Sequence, residues 1–301
     1  MSSSEELPVS PVGSNPSRAV ALDRRAFLTY LAGGSALAVA GTMGLGALGG
    51  PKRMASAGAA ATSASSSAPA PSPTPSLPGG DPTAYEVDIT MSPETLDALV
   101  AGDYFLYGFK AVQGGGDGRP LVWFALSDYS TTTSVQWQEQ YQAYTSRQTG
   151  IPKGRIVASY STDIALGETL QVKAGGDGTV VKDGTSGAIS ILNEVTDEFT
   201  CGIAQTLDDG TSSPMCAFPL YGKQQDVIVP IEKVLLMFST EPVDTGTVIE
   251  QAYSPGVLVD LTGSTTRKVT FDINKGWSWG GGRWATEVKA DADLVPILVE
   301  K

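Results

Sequence analysis

The sequence predicts an all-β domain, an antiparallel β-sandwich with one short amino-terminal helix, and two observations carry that prediction. From residue 83 onward the chain breaks into many short apolar or alternating runs, separated by Gly-, Asp-, Pro- and Asn-rich turns. Beyond residue 102 no segment sustains a 3.6-residue apolar period. Many short strands, polar turns and almost no helix are the pattern of a sandwich or barrel.

The one helix is expected over 93–101. Ser92 is a good N-cap, Pro93 suits the first helical position, and Gly102 can end the turn. Leu96, Leu99 and Val100 give it a modest apolar face. Strand signals follow at once. Residues 104–112 are aromatic-rich and end at a glycine cluster, and 121–126 form a continuous apolar run. Residues 134–144 alternate: Val135, Trp137, Glu139, Tyr141 and Ala143 share one face, while Gln136, Gln138, Gln140 and Gln142 share the other. Successive strand side chains point to opposite faces, so the first set is expected inside and the glutamines in water. Further strands are expected at 155–160, 169–173, 188–194, 198–205, 215–220, 226–229, 232–239, 246–253, 257–261, 267–273, 284–289 and 294–299.

Composition narrows the chemistry. The 301 residues are 41% hydrophobic and 17% charged, enough apolar material for a core. The net charge is −12, which repels phosphate backbones, so nucleic acid is not expected as a partner. There is no histidine. That removes Ser-His-Asp and Cys-His catalysis and imidazole-ligated metals. Carboxylates, tyrosines, a Ser-Lys pair and hard cations held by oxygen remain.

Residues 1–82 do not read as a folded domain. Residues 22–28 are Leu-Asp-Arg-Arg-Ala-Phe-Leu, and a weakly apolar, Gly/Ala-rich stretch runs on to Gly49. Lys52 and Arg53 follow, then Ala55-Ser56-Ala57, a small-residue cleavage pattern. Arg24, Arg25, Phe27 and Leu28 with this weak apolar core resemble a twin-arginine signal peptide. The resemblance covers residues 20–57 and implies export through that machinery, to a secreted or extracytoplasmic location. An uncleaved membrane anchor is the alternative, although the glycines between 33 and 50 make a poor spanning helix. Residues 58–82 are Gly, Ala, Ser, Thr and Pro with little else, a linker with almost nothing to bury. The expected organisation is therefore 1–57 signal, 58–82 linker and 83–301 sandwich.

Cys201 and Cys216 are the only cysteines, and they flank a turn-rich segment. In an exported protein a disulfide between them is expected. No cofactor and no metal site is expected. Gly114–Gly118 and Gly175–Gly178 lack the recurrent acidic spacing of a calcium loop, no HExxH or P-loop pattern is present, and no GxGxxG follows an expected strand as a phosphate fingerprint requires. No residue is singled out as catalytic.

The most unusual segment is Gly276-Trp-Ser-Trp-Gly-Gly-Gly-Arg-Trp284. Trp277, Trp279 and Trp284 either plug one end of the core or present indole faces to a ligand such as a sugar. Acidic residues beside strands include Asp128, Glu139, Asp163, Glu168, Asp226, Glu232, Asp260 and Asp272, and a glycosidase needs two carboxyls across a cleft. Glu139 stands out because alternation places it with Trp137 and Tyr141. The leading expectation is an exported, non-catalytic binding domain, with a glycan or cell-surface component as partner. A carboxylate-based glycan hydrolase is the second. A membrane-active or surface protein is the third; residues 120–129 resemble a strand and loop of actinoporin-like proteins over some ten residues, without their amphipathic helix, and carry no site with them.

If the signal is cleaved after Ala57, five basic and three acidic residues leave and the net charge moves from −12 to −14. Amino-terminal sequencing of the exported protein is expected to begin at Gly58. Replacing Arg24 and Arg25 together by Lys is expected to hold the chain in the cytoplasm, and unchanged export of that variant would refute the signal.

Overall fold

The computed structural model describes residues 83–301. The signal read at Arg24, Arg25, Phe27 and Leu28, and the linker at 58–82, lie outside the described residues.

The fold is all-β, as expected. The chain opens with β1 (Ala84–Thr90), α1 (Pro93–Ala101), β2 (Phe105–Gly114), β3 (Arg119–Pro120), β4 (Phe124–Leu126) and β5 (Thr132–Ser146). It continues through β6 (Tyr160–Ile164), β7 (Thr169–Val172), β8 (Gly178–Val181), β9 (Ile189–Asn193) and β10 (Phe199–Leu207). Next come β11 (Ser212–Pro214), β12 (Cys216–Leu220), β13 (Gln225–Ser239) and β14 (Gly256–Asp260). It closes with β15 (Thr266–Asp272), β16 (Gly276–Ser278), β17 (Ala285–Val288), α2 (Val295–Leu298) and β18 (Val299–Glu300).

Two sheets pack face to face. The first runs β16-β15-β1-β5-β10-β12-β3, with β6 added on β5 and β11 on β10. The second runs β17-β14-β13-β9-β7-β8, with β2 on β13 and β4 and β18 on β2. The sheets are mixed rather than wholly antiparallel: β1–β15, β7–β9 and β18–β2 are parallel pairs. Each parallel pair joins strands that are not neighbours in the chain, because only a crossover connection can bring a strand back in the same direction.

The two 15-residue strands, β5 and β13, are the spines of the two sheets. Inward residues of β5 (Val135, Trp137, Tyr141, Ala143) meet inward residues of β13 (Ile228, Val234, Leu236, Phe238) in one main core. The other face of β2 and β13 is also covered: Tyr107, Phe109, Leu235 and Met237 pack with Leu294 and Leu298 of the carboxy-terminal segment. That second core explains why 104–112 and 232–239 read as continuous rather than alternating apolar runs. The helix forms where expected: the Ser92 side chain accepts from the Thr95 N–H at 3.2 Å, and Pro93 opens the first turn.

Four expectations shift. Residues 155–159 and 246–253 carry only isolated bridges, at Arg155, Thr247, Val248 and Gln251, and the strand begins at Tyr160. Residues 226–229 and 232–239 are one interrupted strand, β13. Residues 295–298 form the turn α2, opened by Val295-Pro296. The remaining correction concerns the cysteines. Cys201 and Cys216 are two separate buried thiols, not a disulfide. Register is the reason: Cys201 of β10 lies opposite Phe218 of β12, so Cys216 is displaced two residues along the partner strand. Such diagonal neighbours are about 7–8 Å apart, beyond the usual disulfide reach of about 4.4–6.8 Å between Cα atoms. Cys201 Sγ lies 3.6 Å from Asp226 Oδ2 instead. Burial pushes both thiols up, Cys216 to about 12.

Denatured without reductant, the protein is expected to yield two alkylatable thiols per chain. Folded, it is expected to yield none, since both side chains are fully buried. A denatured chain that takes up no alkylating agent would restore the disulfide.

Candidate functional site

Two irregularities in the ladders mark one place in the molecule. In β13, Ile231 pairs with Ala111 of β2, and the next registered pair is Val234 with Lys110, so Glu232 and Lys233 are extra residues. In β5, Tyr141 pairs with Gln205 and Trp137 with Leu207, so β5 carries the longer stretch between those pairs, and Glu139 lies within it. Such bulges bend a strand and re-aim side chains, and they gather beside functional sites.

The opposite edge of β5 changes partner at the same level. Strand β1 pairs with β5 as far as Gln138, and the Glu139 N–H still reaches the Thr83 carbonyl at 3.0 Å. Strand β6 takes over at Tyr141. Residues 139 and 140 therefore sit at a seam between β1 and β6. A groove of about 530 Å³ opens there, lined by Glu139, Gln140, Tyr141, Asp163, Ile164, Leu166, Glu168 and Thr206. Its volume lies within the range of small-molecule sites, about 300–1,000 Å³.

Beneath the seam, the two bulges converge on a buried cation. Lys110 is fully buried, and its Nζ donates to Glu232 Oε2 at 2.8 Å. The ammonium sits over the Trp137 ring at 4.4 Å and the Trp123 ring at 5.6 Å, a cation–π enclosure on two sides. The two indoles meet edge to face at 5.5 Å. Trp137 Nε1 donates to Glu232 Oε2 and Tyr141 Oη donates to Glu232 Oε1, both at 3.3 Å. Tyr85 stacks on Trp137 at 5.7 Å and donates its hydroxyl to Glu139 Oε1 at 3.3 Å. Gln205 is fully buried; its Nε2 bonds the Gln138 carbonyl at 2.9 Å, and its Oε1 has no hydrogen-bond partner among the described residues.

These contacts set the electrostatics. Burial pushes the Lys110 amine below its ordinary value, against the pull of Glu232. The Tyr85 hydroxyl is pushed up to about 12, first by burial and then by the charges of Glu232 and Glu139. Tyr141 is pushed up by the same causes in the same order. In the groove, Asp163 Oδ1 accepts from Gln142 Nε2 at 2.9 Å, and Glu168 Oε2 accepts from the Ala165 N–H at 2.9 Å. Each keeps acceptor capacity for further donors.

The predicted tryptophans lie elsewhere. Trp277, on edge strand β16, is buried: its ring packs on Phe238 at 5.6 Å and Phe271 at 4.8 Å, and its Nε1 donates to the Pro255 carbonyl. Trp279 is half-buried and donates to the Gly282 carbonyl at 2.8 Å, while Trp284 lies under the Arg267 guanidinium at 5.0 Å. The loop joins β16, an edge of one sheet, to β17, an edge of the other. The core-plug alternative therefore describes Trp277. Ser278 stands in a Gly276-to-Gly280 stretch with Gly-x-Ser-x-Gly spacing, but β16 leads into a turn and not the helix of a nucleophile elbow.

Of the acidic residues named from sequence, Glu139, Asp163, Glu168 and Glu232 come together at the seam. Lys110, Tyr85, Trp123 and Gln205 were not foreseen. The signal for Lys110 was available: it is the single charge within an otherwise aromatic and apolar run, Phe105–Val112. Among the described residues, no group of three His, Cys, Asp or Glu side chains is placed to hold a metal ion, and no helix is long and apolar enough to cross a membrane. Comparison with protein-family models, with curated proteins and with solved structures finds no match to this chain.

The raised tyrosines predict an alkaline limit. Folding favours their neutral form, so the stability they contribute is complete below about pH 10, the unfolded phenol value. It is lost as pH rises through about 12, where Tyr85 ionises in the fold. Circular dichroism and tyrosinate absorbance, followed together, are expected to change in that window. Tyrosinate absorbance saturating near pH 10 in a chain that stays folded would contradict the arrangement.

Proposed function

We propose that residues 83–301 form an exported, non-catalytic carbohydrate-binding domain whose ligand site is the acidic groove at the β1/β6 seam. The supporting observation is the setting of Glu139. A two-sheet fold with a filled core offers few concave surfaces. This one occurs where β5 is bulged and bare of a strand partner, and it carries carboxylates, an amide and a hydroxyl. Sugar hydroxyls are donors that such acceptors bind. Export is supported by the amino-terminal resemblance to a twin-arginine signal.

Glycan hydrolysis is the second reading, because Glu139, Asp163 and Glu168 place three carboxyls on the same groove and a glycosidase needs two across a cleft. Glu232 is not one of them: it is turned between the sheets with 14% side-chain exposure and is held by Lys110.

A glycan array followed by calorimetry with the best-bound oligosaccharide tests the proposal. Wild type is expected to bind, and Glu139→Gln is expected to lose at least about tenfold in affinity, some 1.4 kcal/mol. Trp279→Ala is expected to bind as wild type does. Absence of any bound glycan, or a loss confined to Trp279→Ala, would remove the groove as the site.

A further inference from the structure

We propose that Lys110 and Glu232 become joined by an intramolecular amide bond, Nζ to Cδ, formed inside the folded domain with release of one water. The two groups are already in contact, Nζ to Oε2 at 2.8 Å, and come from adjacent strands β2 and β13. The aromatic faces of Trp137 and Trp123 hold the amine against the carboxyl and exclude solvent from it.

The surroundings suit the product better than the reactants. An ammonium has three donors, and among the described residues this one finds a single acceptor, Glu232. Two charges kept in a dry enclosure are costly even when paired. The amide has no charge, one N–H and one carbonyl. Burial also lowers the amine's affinity for its proton, which favours the nucleophilic form.

The steps balance. Lys110 Nζ gives one proton to Glu232 Oε2 along their hydrogen bond, leaving a neutral amine and a neutral carboxyl. The nitrogen lone pair attacks Cδ, forming the C–N bond and placing negative charge on Oε1. Tyr141 Oη donates to that oxygen, and Trp137 Nε1 donates to Oε2, the one that departs. A second proton passes from nitrogen to Oε2, the Cδ–Oε2 bond breaks, and water leaves. The nitrogen keeps one hydrogen, and the positive and negative charges vanish together. Glu232 retains 14% exposure, so the water has a route out that the fully buried lysine lacks. The bond ties β2 to β13 across the two-residue bulge, where the ladder between them is interrupted.

Intact-mass spectrometry of the purified full chain, denatured and reduced, tests this directly. Wild type is expected to be lighter, by one water, than the sequence from its measured amino terminus requires. Tandem spectra are expected to show one peptide pair linked through Lys110 and Glu232, with no tryptic cleavage at Lys110. Lys110→Arg is expected at full mass. Wild type at full mass overturns the proposal. So does a deficit that persists in Lys110→Arg, which would place the lost water in an Asp-Gly succinimide; the linked peptide in wild type decides the matter even where the variant does not fold.

Discussion

Lys110 has no exposed surface, and the rest of the site is organised around that fact. A charge buried between two sheets must be met by a partner of opposite sign, or it would be neutralised. The partner is Glu232, which reaches it because β13 carries two extra residues at that level. The facing strand adapts as well: β5 is bulged opposite the same point, and its Trp137 and Tyr141 supply the ring face and the donors that complete the enclosure. Removing one partner of such a pair typically costs about 3–5 kcal/mol, because the survivor is left buried and uncompensated.

The groove follows from the same adaptation. A bulged strand cannot keep one neighbour in register along its whole length. Strand β1 therefore pairs with β5 up to Gln138, and β6 begins at Tyr141. The seam between them exposes Glu139, Gln140 and the rim of Tyr141 where a regular sheet would present closed hydrogen-bonded backbone. The buried cation and the open groove thus have one structural origin. Glu139 takes part in both: it accepts from Tyr85, which stacks on the inner Trp137, and it lines the outer wall.

The legible part of this in the sequence was the part with a period. Alternation over 134–144 placed Trp137, Glu139 and Tyr141 together; Trp137 and Tyr141 are buried in the main core, whereas Glu139, inside the bulged stretch, is half-buried and lines the groove. The bulge was invisible in that pattern, because an insertion of two residues restores the parity of the faces. The same parity hid the interruption in β13, which showed only as a gap between two expected strands. Lys110 lay in a run whose two faces are both buried, so alternation could not assign it a side, although a lone charge amid aromatics marked it. Register was the information missing for the cysteines. Residues 201 and 216 flank a turn, but pairing Cys201 with Phe218 moves the thiols off opposite positions. For Trp277 the sequence left core and surface open, and only the neighbouring Phe238 and Phe271 decide between them.

Division of labour between the two glutamates then follows from their surroundings. Both act on the same two phenols, whose hydroxyls are kept protonated well into the alkaline range first by burial and then by the two glutamate charges. Glu232 accepts from an ammonium, an indole and a phenol, leaving it little capacity for a ligand. Among the described residues Glu139 accepts from Tyr85 alone, and it faces the groove. A carboxylate saturated by internal donors is suited to fixing strands, and one with unused lone pairs at a concave surface is suited to recognition. An inner glutamate locked to Lys110 ties β13 to β2 beneath the seam, and a fixed floor would preserve the spacing of Glu139, Asp163 and Glu168 on which the proposed recognition of a multiply hydroxylated ligand rests.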